Sequence, residues 1–164
     1  MKNLKSIVIV VSLLLLSINA VCNEHENEVV EKKVVYDLTT SDIKMVKKRL
    51  IGSIVSNSDY YQSKLQEYKV KVVIHGDAYK FFMHDLNNTA YAFDKKLVEN
   101  KAELQKRFKS LSTLYGVEFE VCAVGMKSRE LKPKAFYPFV KVIHNAIVGL
   151  VDAQNDGYAY VPID

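Results

Sequence analysis

The sequence predicts one α/β domain with three layers, α/β/α, built on a five-stranded, mainly parallel sheet. Short runs rich in Val, Ile and Tyr alternate along the chain with segments in which apolar residues recur at helical spacing. Such alternation favours parallel strands joined by right-handed crossovers, with helices on both faces of the sheet. Hydrophobic residues make up 49% of the chain, with six glycines and three prolines, which is typical of a globular domain without repeats or low-complexity segments.

Residues 1–20 are predicted to be a secretory signal peptide outside this fold. Lys2 and Lys5 give it a basic start, residues 7–16 form an almost unbroken apolar run, and small residues end it at Ala20. A transmembrane helix needs roughly 20 apolar residues, so this run is too short for a typical membrane span. We therefore expect a periplasmic or otherwise exported protein, attached to a membrane only where the signal is left uncleaved.

A polar lead-in at residues 21–33 follows, and the folded domain is predicted to cover residues 34–164. Cys22 lies in the lead-in, and lipid attachment there is the less favoured alternative, because Val21 stands where a small residue usually precedes a lipid-bearing cysteine. The two lysines of the signal account for half of the formal net charge of +4, which leaves +2 after cleavage. Neither this charge nor export favours a nucleic-acid partner.

The first half of the domain is predicted to form a strand, two helices, a strand and a helix, at residues 33–38, 43–55, 60–68, 70–74 and 78–86. The first helix has Ile43 and Leu50 at helical spacing. Polar residues 57–59 separate it from the second helix, which has Leu65 on its inner side. The third helix follows a tight turn at residues 75–77 and contains several aromatic residues.

The second half is predicted to form a helix, a strand, a helical turn, a strand, a helix and a strand, at residues 97–115, 117–124, 135–139, 141–143, 146–154 and 158–161. Gly116 ends the first of these helices, whose apolar face is made by Leu104, Phe108, Leu111 and Leu114. The strand that follows is expected to break at Gly125 into a loop.

Three chemically active side chains follow three of the predicted strands. His75 follows the second strand, Cys122 lies near the end of the third, and His144 follows the fourth. Ligands and reactive groups collect outside the carboxyl ends of parallel strands. We therefore expect these three side chains to lie along one edge of the sheet.

Cys122 is the leading candidate for chemistry. Apart from Cys22 it is the only cysteine in the chain, and a bridge between the two would join the polar lead-in to a strand end, so we expect a free thiol. One interpretation is a reactive thiolate within reach of solvent; the other is a small, inert core residue. Strand alternation places Cys122 on the same face as Glu118 and Glu120, which is the more polar face.

Cationic residues follow Cys122 in the predicted loop. Lys127, Arg129 and Lys132 would stabilise a thiolate if the loop folds back over the sulfur. Met126 either lines a soft, sulfur-friendly pocket or simply packs.

Histidine could supply protons to this chemistry. His75 is the candidate to assist the sulfur, since histidine titrates near neutral pH; the alternative is a turn histidine that only satisfies local backbone groups. A metal site made by His75, Cys122 and His144 would take its ligands from three separate turns and matches no short ligand motif, so we expect no metal. The sequence also lacks a G-x-G-x-x-G motif and any other phosphate-binding loop, so we expect no nucleotide or other cofactor.

Together these residues resemble the DsrE/DsrF-like (YchN-like) sulfur-relay family, and its exported subgroup most closely. The resemblance covers residues 34–163. It is carried by the order of strands and helices, by His75 and Gly76 after the second strand, by Cys122 followed by Gly125-Met126-Lys127-x-Arg129, and by Gln-Asn-Asp-Gly-Tyr at residues 154–158.

The resemblance implies a five-stranded parallel sheet, assembly into homotrimers or homohexamers, and a cysteine that accepts sulfane sulfur as a persulfide. Only Cys122 lies at the matching position and inherits this role. From its place after the second strand, we expect His75 to assist it. The candidate substrate-binding residues are Gly76, Met126, Lys127 and Arg129. The expected function is that of an exported sulfur carrier or sulfurtransferase that passes sulfur to the thiol of a partner protein. The alternative is a non-catalytic, homo-oligomeric binding or scaffold module of the same fold, with Cys122 buried.

Overall fold

The computed structural model describes residues 30–164, so the predicted signal peptide, Cys22 and most of the predicted lead-in lie outside the described residues. Within them, one sheet contains five strands, and every neighbouring pair is parallel. The strands are β1 (Glu31–Leu38), β2 (Glu67–Ile74), β3 (Glu118–Cys122), β4 (Val140–Ile143) and β5 (Ala159–Ile163). Their order across the sheet is β4-β3-β2-β1-β5, which confirms the predicted fold class.

Helical segments connect these strands. α1 runs without interruption through Ile43–Met45, Val46–Gly52 and Ser53–Gln62, and its middle stretch is a π-helix. The other helices are α2 (Lys95–Leu114), α3 (Ala123–Ser128) and α4 (Ala146–Asn155), and Ala78–Phe82 and Pro133–Ala135 are 3-10 turns. Asp42, Asp94 and Asn145 start α1, α2 and α4 by accepting hydrogen bonds from backbone N–H groups of the first turn.

The helices lie on both faces of the sheet because the connections between strands step along the sheet in two opposite directions. The connections from β1 to β2 and from β2 to β3 step one way, and the connection from β4 to β5 returns past three strands. Right-handed crossovers therefore place α1 and α2 on one face and α4 on the other. Phe108 of α2 packs against Phe119 of β3, with ring centroids 5.7 Å apart. On the other face, a Cβ atom at Gly149 of α4 would lie 2.4 Å from Cδ1 of Ile143, so glycine is what lets this helix approach the sheet.

The predicted helix at residues 60–68 is wrong. α1 continues to Gln62 through the polar residues 57–59, and β2 already begins at Glu67. Burial of Ile51 and Ile54 anchors α1 and outweighs the weak helix propensity of those polar residues. Leu65 is 91% exposed and has a φ of +56°, so it lies in the turn before β2 and not on an inner helix face.

Two other predicted helices are shorter in the structure, and one predicted core residue is exposed. The segment at residues 78–86 forms only the 3-10 turn Ala78–Phe82. All three aromatic side chains of this turn are buried, and Met83 adopts an extended conformation that pairs with Phe136 and ends the turn. The predicted turn at residues 135–139 is reduced to Pro133–Ala135. Leu114 is 77% exposed in the last turn of α2. Across residues 30–164, no helix is both long and apolar enough to cross a membrane.

Candidate functional site

The carboxyl ends of β2, β3 and β4 are adjacent, so the sheet brings His75, Cys122 and His144 to one edge. Ile74 pairs with Val121, so the next position on each strand sets His75 beside Cys122. Neighbouring strands are about 4.8 Å apart, and matching positions in a parallel pair point to the same face, here the face covered by α4. His144 follows β4 one residue further along, with its side chain exposed.

Cys122 ends β3 and starts α3 at the same time. Its backbone is extended, with φ −72° and ψ 114°, and its Sγ accepts a hydrogen bond from the Gly125 N–H at 3.5 Å. The predicted strand to residue 124 and the predicted loop at Gly125 are therefore wrong, because a helical turn begins directly after the cysteine. The sulfur takes the place of the side-chain oxygen that usually caps a helix.

The environment of Cys122 combines burial with stabilisation of the thiolate. Only 6% of the residue is exposed. Burial raises the pKa of the thiol, but the N–H of Gly125, the hydroxyl of Tyr79 and the N–H groups of Ala146 and Val124 outweigh it, so the pKa of Cys122 is lowered. Since Ala146 is the first residue of α4, the N-termini of two helices converge on this sulfur. Cys122 thus combines the burial expected of an inert residue with the acidity expected of a reactive one.

Tyr79 is a site residue that the sequence did not reveal. It is fully buried, and its hydroxyl donates to the main-chain carbonyl of Cys122 at 2.9 Å. Burial and the contact with Cys122 raise the pKa of Tyr79, so the hydroxyl stays protonated and able to donate. A Cβ atom at position 125 would lie 2.0 Å from this hydroxyl oxygen, so Gly125 is required by Tyr79 and does not mark a loop.

Of the predicted cationic residues, Arg129 reaches the site through Tyr79. Its guanidinium lies 5.4 Å from the centroid of the Tyr79 ring, and its Nη2 is 3.6 Å from Oδ1 of Asp77. Lys127 is exposed on α3, and Lys132 is exposed after it. Met126 is 3% exposed and belongs to the hydrophobic core, which is a packing role.

His75 is held by a neighbouring carboxylate. Its Nε2 lies 2.6 Å from Oδ1 of Asp37 on β1, and Oδ2 of Asp37 accepts a hydrogen bond of 2.7 Å from the hydroxyl of Tyr160 on β5. Sequence reasoning missed both partners, although an acidic residue inside the apolar run of β1 is a signal that could have found Asp37. Gly76 turns the chain after His75 with φ +61°, and a side chain there would press against Thr39.

A separate cavity of about 460 Å³ lies where α1 and α2 begin, on the other side of the sheet from α4. Two of its four lysines are engaged within the protein, since Lys80 pairs with Asp94 at 2.9 Å and Lys47 pairs with Glu103. Cys122 and His75 do not line this cavity. In the part of the chain that the structure describes, no group of three or more His, Cys, Asp or Glu side chains could hold a metal ion.

Comparison with known proteins gives a family match over most of the chain. The model of the DsrE/DsrF-like family matches residues 35–163. An uncharacterized protein of Aquifex aeolicus (strain VF5) is 25% identical over 130 residues, which are 79% of this chain and 55% of that protein, so the chain spans about half the length of this curated relative.

Two solved structures are also similar. The protein of unknown function MTH1491 from Methanobacterium thermoautotrophicum aligns with a TM-score of 0.56 and 18% identity over 80% of this chain and 98% of its own, which shows a shared fold. The ychN protein from E. coli aligns over the same shares with a TM-score of 0.49 and 11% identity.

Proposed function

We propose, because the chain belongs to the DsrE/DsrF-like family, that it is a sulfur carrier which holds sulfane sulfur on Cys122 as a persulfide. The observation that carries this proposal is the position of the Cys122 sulfur at the start of α3, where it accepts a hydrogen bond from the Gly125 N–H at 3.5 Å; this donor and the N–H of Ala146 at the start of α4 help to lower the pKa of the thiol. The thiolate, and not the thiol, is the nucleophile in exchange reactions of this kind. A cysteine retained only for packing does not need such donors.

The reaction moves a sulfur atom without net oxidation. In loading, the Cys122 thiolate attacks the outer sulfur of a persulfide or polysulfide donor, and a bond forms between Sγ and that sulfur. The S–S bond of the donor breaks, and its electron pair leaves with the donor thiolate, which takes up a proton. In discharge, the thiolate of a partner protein attacks the outer sulfur of the Cys122 persulfide, and the Cys122 thiolate is restored.

The residues around the sulfur divide these tasks. His75, beside Cys122 on the neighbouring strand, is the candidate to exchange the proton. Arg129, held over Tyr79, and the exposed Lys127 would attract an anionic donor. Gly76 lets the chain turn directly after His75, where a side chain would press against Thr39.

Intact-protein mass spectrometry tests this proposal. The protein is compared with its Cys122→Ser variant after treatment with inorganic polysulfide, with Cys22 replaced by serine in both so that one thiol remains. We expect a mass gain of about 32 Da, one sulfur atom, that a thiol reductant removes and that the Cys122→Ser variant lacks. Absence of the adduct from a protein whose thiol titrates as free after unfolding would contradict the proposal.

One observation favours a second function, that of a non-catalytic scaffold or binding module. Cys122 is only 6% exposed, as an inert core thiol would be. Iodoacetamide distinguishes the two functions, because an inert thiol is alkylated only after unfolding. Alkylation of the native protein faster than its measured rate of global unfolding would favour the carrier.

Export and self-association belong to the same proposal. The basic and apolar start of the sequence supports export, which N-terminal sequencing of protein from a periplasmic fraction would test.

Support for a homotrimer or homohexamer comes from the outer side of α4, where Ile147, Val148 and Val151 are 73%, 41% and 46% exposed. We expect Ile147→Lys to lower the mass measured by analytical ultracentrifugation, and the control Leu114→Lys on α2 to leave it unchanged. A monomeric wild-type protein would contradict self-association.

A further inference from the structure

Asp37 is a mostly buried carboxylate with both oxygens engaged. Its side chain is 14% exposed, Oδ1 lies 2.6 Å from Nε2 of His75, and Oδ2 accepts the hydroxyl of Tyr160 at 2.7 Å. The bond to Asp37 raises the pKa of Tyr160, so this hydroxyl stays protonated and continues to donate. The carboxylate is therefore fixed from one side by Tyr160 and presents its other oxygen to the imidazole.

The register of the sheet explains why these side chains meet. Asp37 pairs with Val73, two residues before His75, so both side chains point to the α4 face. Tyr160 pairs with Val35, two residues before Asp37, and points to the same face. Since Cys122 lies beside His75 on β3, a line of polar groups crosses four consecutive strands, β5, β1, β2 and β3.

This line fixes which nitrogen of His75 carries a hydrogen. A carboxylate only accepts hydrogen bonds, so Nε2 must be protonated to approach Asp37 at 2.6 Å. In the neutral imidazole, Nδ1 then carries the lone pair. Nδ1 is the other ring nitrogen, and none of the hydrogen bonds within residues 30–164 uses it.

We infer that Asp37 and Tyr160 are positioning residues that hold His75 in the Nε2–H tautomer and leave Nδ1 as the nitrogen that exchanges protons at Cys122. This inference rests on the proposed function. In loading, the proton on Nδ1 of the imidazolium passes to the leaving donor thiolate, and the electron pair of the broken S–S bond forms the new S–H bond. In discharge, Nδ1 takes the proton of the incoming acceptor thiol, and that thiolate attacks the Cys122 persulfide.

A purely structural alternative assigns the Asp37–His75 contact to tying β1 to the turn after β2. Both hypotheses predict some loss of stability when Asp37 is changed. Both also require Nε2–H, because a carboxylate only accepts hydrogen bonds. They differ in sulfur transfer, because a tether has no part in moving protons.

Nitrogen-15 NMR of the histidine rings tests the tautomer directly, with the His75 signals assigned by their loss in His75→Gln. In the wild-type protein we expect Nδ1 to be the unprotonated nitrogen of neutral His75. Asp37→Asn can turn its amide NH₂ toward Nε2, so we expect the Nδ1–H tautomer to appear, as it does when the carboxylate of a catalytic triad is replaced by an amide. An unchanged tautomer in this variant would overturn the inference.

The rate of sulfur transfer from polysulfide to a small thiol, monitored by mass, tests the consequence. We expect Asp37→Asn to slow transfer about tenfold to a hundredfold, within the usual contribution of general acid–base catalysis. Tyr160→Phe, which removes one hydroxyl and keeps the fold intact, should slow it about two- to tenfold, the effect of one hydrogen bond. Asp156→Asn and Tyr158→Phe are matched controls at the same end of the chain and should leave the rate unchanged.

The outcomes separate the inference from the proposed function. If the wild-type protein takes up no sulfur, the proposed function fails and the inference fails with it. If the wild-type protein transfers sulfur and Asp37→Asn and Tyr160→Phe transfer it at the same rate, the proposed function stands and the inference is overturned. A slower rate together with a changed tautomer supports both.

Discussion

The two faces of the sheet differ in their chemistry although they share the same strands. Toward α1 and α2, the central strands present buried apolar side chains, namely Val34, Tyr36, Leu38, Val70, Val72, Ile74, Phe119 and Val121. Toward α4, the same strands present Asp37, Glu120 and Cys122 beside the buried Val35 and Val73, with His75 just beyond β2. Two long helices cover the first face, whereas one helix of ten residues covers the second.

This difference shows how a small α/β domain can use one face of its sheet to stabilise the fold and the other to position reactive side chains. The short α4 leaves room for polar side chains at its borders, so Lys141, 70% exposed, can reach the buried Glu120 at 3.2 Å. The N–H of Ala146, in its first turn, also helps to lower the pKa of Cys122. Strand alternation thus lets the apolar face hold the fold while the opposite face positions reactive groups.

The largest effect is expected from the apolar face. Phe119 is 1% exposed and packs against Phe82, Phe108 and Phe139. Phe119→Ala should lower the free energy of unfolding by about 3–5 kcal/mol in urea titrations. The control Phe93→Ala removes a ring that is 91% exposed and should have little effect. If Phe119→Ala also shifted the pH dependence of Cys122 alkylation in the folded protein, the idea that one face stabilises the fold and the other positions the reactive groups would be contradicted.

Gly125→Ala should have the next largest effect, and it acts on the reactive face. The new methyl group would lie 2.0 Å from the hydroxyl oxygen of Tyr79, so either α3 or the buried Tyr79 side chain must shift, and we expect a loss of about 1–3 kcal/mol in urea titrations. A shift of α3 would also move the N–H of residue 125 away from the sulfur. Gly52→Ala is a matched control in α1, where a Cβ meets only ordinary contacts, and should be neutral or stabilising. Equal stabilities for the two variants would contradict the contact with Tyr79.

The pH dependence of Cys122 alkylation tests the electrostatics of the same face. Since the pKa of Cys122 is lowered, its thiolate persists to lower pH, and the midpoint of the rate profile should lie below the value of about 8.5 of an ordinary cysteine. Tyr79→Phe removes a hydroxyl that helps to lower the pKa of Cys122, so its midpoint should move upward toward the ordinary value. A wild-type midpoint above the ordinary value would mean that burial outweighs the N–H donors.

More of the fold than of the site could be predicted from the sequence. Strand patterns and the apolar stripe of α2 report local periodicity, and they predicted the sheet and its long helix. The site depends on contacts between distant segments. Asp37 meets His75 only through the pairing of β1 with β2, and Gly125 is required only by Tyr79, so its glycine indicated a loop where α3 forms. His75 and Cys122 could be found because both follow strands that end at one edge.

The smallest effects are expected from Arg129 and Lys127, two cationic residues that the sequence could not distinguish. Arg129 lies over the Tyr79 ring and near Asp77, whereas Lys127 is exposed on α3. Arg129→Ala should therefore cost about 0.5–1 kcal/mol of stability, the usual strength of an exposed cation–π contact, and shift the alkylation profile of Cys122 slightly through Tyr79. Lys127→Ala should change neither quantity beyond about 0.5 kcal/mol. A larger effect of Lys127→Ala than of Arg129→Ala on alkylation would mean that the exposed lysine, and not the arginine held by Tyr79, acts on the sulfur.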